Sequence, residues 1–303
     1  MSGHVVDRIQ SRLVRPFSPV GLVQALTGVP SRIARQVVSA HLAASTEAEA
    51  LLEAMPHIVR SLAIATTDHP ARCHGEVRGP VLWSETMSAR AASAGDPGLF
   101  VCATTAKAFD TDENRVLKAA LAAISRAGRD CEVPGRELAV PEELRRRARL
   151  NSNRADHFLG HRTLSDVPAA KVRARSLTRT RAGHRRGTYR PAVDLLDRAG
   201  RPVDGAALDP IIDPLSRPML ELFADVLDAL DERAGAPMPL RSTHGRLVAG
   251  PVSYEPLAGV GVGRARVRDL PAALAQLRRS PLDAAPEGPL VGGPPPASPP
   301  GAG

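Results

Sequence analysis

Val116, Leu117, Ala120, Leu121 and Ile124 recur at the three- and four-residue spacing of one helix face. The same spacing returns in Val5, Val6, Ile9, Leu13 and Val14, in Ile33, Val37, Val38 and Leu42, and in Leu220, Phe223, Val226, Leu227 and Leu230. A chain with this repeated period has to build most of its core from helices laid against apolar partners. Hydrophobic residues make up 43% of the chain and aromatics only 3%, so the core has to be aliphatic. That balance argues against an aromatic-rich β-sandwich.

Two regions break the helical period. In CHGEVRGPVLWSETMSARAAS, Val77, Val81, Leu82 and Trp83 surround Gly79-Pro80 and read as a bent or edge strand, and LFVCATT reads as a short buried strand. GRLVAGPVSYEPLAGVGVGRARVRDL reads as one or two strands broken by glycine. The expected fold class is therefore α+β and mainly helical. It has a helical N-terminal region, a small β-ribbon near 76–105, further helices, and a short Gly-broken β segment before a disordered tail. The expected segments are a helical region over 1–65, an α+β module over 66–235, a β-rich extension over 236–279, and a Pro/Gly tail over 280–303 that cannot build a core.

Charge is concentrated. Residues 141–190 hold 14 basic and four acidic residues, a net of +10 in a chain whose total is +8. Only three of the 40 basic residues are lysines (Lys107, Lys118 and Lys171), an arginine bias that weakens any argument from the overall charge alone. The segment's Arg145, Arg146, Arg147, Arg149, Arg173, Arg175, Arg179 and Arg181 are candidate phosphate contacts, since clustered guanidinium groups offer bidentate bonds and release counterions. The alternative is a solvated helix face and loop. Nothing in the segment matches a helix-turn-helix, a zinc finger or an aromatic-interleaved pattern for stacking bases.

Cys73, Cys102 and Cys131 form no CxxC pair, and no apolar run has signal-peptide or membrane-span length. A cytoplasmic protein with reduced thiols and no membrane partner is expected.

The acidic approach in AFDTDENRVLKAALAAISRAG suits a helix start, with Asp110 capping and Glu113 reaching back. Asn114, Arg115 and Lys118 fall opposite the apolar stripe as a polar trio. They either contact a partner or tie the helix start to the preceding ribbon.

Three patterns in order, GEVRGPVLWSETMSAR, FDTDENRVLKAAL and RRGTYRPAVDLLDRA, resemble the McrC-like family of modification-dependent restriction components, including relatives described only as a domain of unknown function. The matched region spans residues 55–200. The resemblance implies a bacterial restriction or DNA-processing module that lies upstream of a PD-(D/E)xK nuclease and works with a nucleotide-driven motor subunit. Here the chain departs from the family. Its lysines sit in TAK, VLK and AAK, so the acid-x-lysine triplet such a nuclease needs to hold a divalent cation and steady the attacking water is missing. The expectation is a non-catalytic adaptor or DNA-contacting component without a cofactor, partnered by a motor NTPase or a separate nuclease subunit.

Other chemistry finds little support. His157 and His161 are spaced i,i+4 but lack the following Glu and a third ligand, and His69, Cys73 and His74 lack a second ligand pair. GVGVGRAR puts Arg264 where a dinucleotide fingerprint needs its third glycine. Asp204, Asp209 and Asp213 are the ligands an alternative, metal-dependent nuclease would use, though they read better as turn and cap residues. A structural protein with no nucleic-acid role is the third reading.

Overall fold

Helix starts and stops obey the local chemistry. Ser18 and Ser45 cap the second and fourth helices through hydroxyls that accept from Gly21 N–H and Ala48 N–H, and Pro19 sits at the first position of the second. The computed structural model describes residues 3–131, 140–168, 172–243, 245–256 and 258–282. In chain order it contains α1 (Gly3–Gln10), α2 (Pro19–Thr27), α3 (Ser31–Ala43), α4 (Thr46–Arg60), β1 (Ala65–His74), α5 (Trp83–Ala92) and β2 (Leu99–Ala108). Next come α6 (Asp112–Cys131), α7 (Glu142–Leu159), the single turn α8 (Arg162–Ser165), α9 (Ala174–Ala182), α10 (Arg186–Ala199) and the short α11 (Gly205–Leu208). The chain ends in α12 (Arg217–Ala234), strands β3 (Arg241–Thr243), β4 (Arg246–Ala249), β5 (Val252–Glu255), β6 (Gly259–Val262) and β7 (Ala265–Val267), and α13 (Leu270–Arg279). The fold is mainly helical α+β.

Contacts divide the chain into two units, one drawn from residues 1–42, 127–148 and 198–303, the other from 43–126 and 149–197. These do not match the linear segments expected from sequence. The 1–65 region is shared between both units, and the 236–279 extension belongs with residues 1–42. An apolar stripe fixes that a helix is amphipathic, but it does not say which distant element covers it.

The first unit is built on an antiparallel meander, β3-β4-β5-β6-β7 in sequence order. Its register pairs Leu247 with Tyr254, Tyr254 with Val260, and Val260 with Val267. Helices α2, α12 and α13 pack on this sheet. Leu22, Leu26, Phe223, Leu227 and Leu230 meet Val252, Tyr254, Val260 and Val262 in its core, where the Phe223 and Tyr254 rings lie 5.3 Å apart. Over 245–270, where one or two strands are expected, there are four, β4 to β7, and β3 precedes them. Gly245, Gly250 and Gly263 have positive φ, and they sit in the tight turns between strands of three or four residues. Arg8 on α1 and Arg12 in the turn after it reach across to Asp225, Asp228 and Asp231 on α12.

The second unit contains a two-stranded antiparallel ribbon, β1 with β2, running from Ala65↔Ala108 to His74↔Leu99. It replaces the strand expected over Val77–Trp83. Trp83 opens α5, and of that stretch Val81 alone makes a bridge, to Cys102. The polarity of the true first strand, ATTDHPARCH, conceals it in the sequence. It is paired on one side only, so it stays largely exposed and tolerates Pro70. Gly79 explains the close fold-back. Its φ is 129°, and a Cβ there would lie 2.4 Å from the Ala103 carbonyl oxygen. Val116, Leu117, Ala120, Leu121 and Ile124 are fully buried on α6, as their spacing requires. The cysteines are unpaired. The expected tail over 280–303 lies outside the described residues from 283 onward.

Candidate nucleic-acid interface

One polar residue in each of the three family-like patterns is buried: Thr86, Asn114 and Tyr189. Asn114 is 0% exposed and is not part of an outward trio. At about 100° per residue it falls within about 20° of Leu121, on the margin of the apolar stripe. Its Nδ2 donates to the carbonyls of Ala63 and Phe109, both at 2.8 Å. These residues flank the open end of the ribbon, one before β1 and one after β2. Its Oδ1 accepts the Tyr189 hydroxyl at 2.6 Å, and that hydroxyl accepts Ala63 N–H at 2.8 Å. Asn114, Tyr189 and Ala63 thus form a closed ring of bonds. Burial pushes the Tyr189 phenol above its ordinary value, so the hydroxyl stays a donor.

The helix cap differs from expectation. Thr111, rather than Asp110, accepts Asn114 N–H through its hydroxyl, while Asp110 is occupied by a two-pronged bond from Arg115 at 2.6 and 2.7 Å. That bond from Arg115 holds the Asp110 carboxyl below its usual range. Lys118 donates to the carbonyls of Leu164, at 2.8 Å, and Val167, closing the end of α8. Arg185 donates to Ser61 and Leu62 carbonyls beyond α4. In the first pattern, the buried Thr86 hydroxyl accepts Val101 N–H at 2.9 Å, and Arg90 donates to Leu99 and Pro97 carbonyls while lying 4.7 Å over Phe100. Helical spacing singles out Asn114, Arg115 and Lys118, and the resemblance marks the stretches around the others. Neither carries a signal that most of their bonds run to backbone.

The basic segment is divided between the two units. Arg145, Arg146 and Arg147 belong to the first unit, and Arg149, Arg173, Arg175, Arg179 and Arg181 to the second. Arg145 pairs with Glu142, and Arg146 makes two bonds to Glu143 at 3.0 and 3.1 Å. Arg147 is half-buried and Arg149 exposed; both have interactions of their own. Arg179 pairs with Asp112 at 3.0 Å, and Arg181 with both oxygens of Asp197. The Ser176 hydroxyl and then Arg179 hold the Asp112 carboxyl below its ordinary value. Arg173 and Arg175 are exposed, with no carboxylate partner among the described residues.

Arg186 joins them, exposed in the first turn of α10 and likewise without a described carboxylate partner. It lines a groove of about 340 Å³ with Arg181, Gly187 and Arg190. Thr180, Val193, Asp194 and Asp197 complete the lining. The tyrosine of RRGTYR carries that pattern's family likeness and says nothing of a groove. The i,i+4 pair Arg186 and Arg190 is the signal for it that spacing alone offers.

The remaining candidates stay apart. Asp204 is exposed and 4.0 Å from Arg198, one Asp209 oxygen lies 3.8 Å from Arg217, and Asp213 accepts Leu215 N–H at 2.9 Å. His161 bonds Thr163, His157 packs edge-on against Phe158, and His74 pairs with Asp96. Among the described residues no three His, Cys, Asp or Glu side chains come together to hold a metal, and no helix is long and apolar enough to cross a membrane. No protein-family model, curated protein or solved structure matches the chain.

Proposed function

We propose that this protein is a non-catalytic, DNA-contacting component of a bacterial restriction or DNA-processing system, of the McrC-like kind its three patterns resemble. It works in the cytoplasm beside a motor NTPase or a separate nuclease subunit. One observation carries the DNA role. Arg173, Arg175 and Arg186 stand exposed on the α9–α10 side of the second unit without carboxylate partners among the described residues, whereas Arg145, Arg146, Arg179 and Arg181 are already engaged. A guanidinium without an internal partner neutralises a backbone phosphate without first breaking an ion pair. The missing acid-x-lysine triplet supports a binding role over hydrolysis.

The test is the salt dependence of duplex binding. Removing a single phosphate contact should flatten the slope of log K against log salt by about 0.9. Replacing Arg173, Arg175 and Arg186 by Ala should flatten it by two to three such increments, and replacing Arg145 and Arg146 by less. A triple variant with the wild-type slope contradicts the DNA role.

A further inference from the structure

Gly187 is a residue without an internal reason. It lies at the second position of α10, in the first turn beside Arg186, and it has no positive φ to call for it. A Cβ built there meets nothing within 4 Å beyond its chain neighbours and its own helix backbone. The space in front of it is the groove between α9 and α10. Two of the groove's three arginines are held by carboxylates of α10: Arg181 by Asp197, and Arg190 by Asp194 at 3.5 Å. Arg186 is left as the surplus charge, so the lining sums to about one positive charge.

We infer that this groove seats a single phosphodiester group of a nucleic-acid strand, with Arg186 as its ion-pairing group and the bare backbone at Gly187 letting the phosphate come close. The one-charge surplus matches a phosphodiester, which carries one negative charge. The ion pairs at Asp194 and Asp197 hold Arg181 and Arg190 in place and discourage a dianion. This inference rests on the DNA-contacting role proposed above and narrows it to one seat.

Gly187→Ala, Gly187→Glu and Arg186→Ala, each in the full chain, test it by fluorescence anisotropy with a labelled DNA strand, alongside melting temperatures. Gly187→Ala should weaken binding severalfold while the melting temperature holds or rises, a combination that a merely structural glycine would not give. Gly187→Glu should cost at least tenfold. Arg186→Ala should remove about one contact's worth of salt dependence. If Gly187→Glu fails to fold, Gly187→Ala and Arg186→Ala decide. Unchanged affinity and salt slope in these variants would overturn the seat, and a slope still lowered by replacing Arg173 and Arg175 would leave the broader DNA role standing. Failure of the wild-type chain to bind any strand would overturn both. Inorganic phosphate, titrated at constant ionic strength, should compete only weakly. Displacement of the strand at low millimolar phosphate would assign the groove to a free anion and overturn the seat for a strand.

Discussion

Asn114 and Tyr189 lie 75 residues apart in sequence yet close one ring of hydrogen bonds around Ala63. Truncating Asn114 to Ala leaves the buried Ala63 carbonyl and Tyr189 phenol, and the part-buried Phe109 carbonyl, without their partner, a loss of about 2–4 kcal/mol. Tyr189→Phe keeps the volume but orphans Ala63 N–H and one Asn114 lone pair, at about 1–2 kcal/mol. Members of one network should not add. In urea unfolding the double variant is expected to lose less than the sum of the two singles, and strict additivity would dissolve the ring. The asparagine is legible in the sequence as part of an unusual pair, but its direction is not. It sits on the margin of the α6 stripe, where a small rotation decides between solvent and core.

His41 shows the same limit from the other side. In the sequence it is one polar position beside an apolar helix face, yet it is half-buried in a small recess with Val38, Leu42, Arg198 and Val203. Burial lowers its pKa; Asp204 opposes this and Arg198 adds to it. The unfolded chain therefore binds this proton more readily than the folded one. Stability should fall as the pH drops through about 6.5 towards the lowered folded value. His41→Leu is expected to flatten that part of the stability profile between about pH 7.5 and 5.5. An unaltered slope in thermal unfolding would show that another group sets it.

At the level of elements, the helices are legible because burial imposes its period on the sequence, as α6 and α12 show. The ribbon is not, because a two-stranded ribbon buries little. Thr66, Asp68 and His69 on β1 leave the strand without an apolar face, so there is no alternation to read. The glycine in GEVRGPVLW marks a bend correctly, yet the chain beyond it forms a helix packed on β2. Gly79 holds that arrangement by close approach to Ala103. Gly79→Ala must strain the backbone and displace β2, with an expected loss of about 2 kcal/mol or more. A variant within about 0.5 kcal/mol of wild type would show that the contact yields at little cost.

For the whole molecule, composition indicates the class and the net charge, and linear order misleads. The run of arginines over 141–190 looks like one basic strip in the sequence, but the fold divides it between two units and matches Arg145, Arg146, Arg179 and Arg181 with acids that spacing could not assign. Surface pairs of this kind add little stability, so their effect lies in where positive charge is left available. On that leftover charge at Arg173, Arg175 and Arg186, together with the missing acid-x-lysine triplet, rests the proposal that the chain holds DNA and does not cut it. Incubating purified protein with an end-labelled duplex and Mg²⁺ tests both halves at once, through the fraction retarded as salt is raised and the length of the recovered strands. Retardation that weakens steeply with salt, with strands recovered at full length, is the expected result. Shortened strands, or no retardation even at low salt, would contradict the proposal.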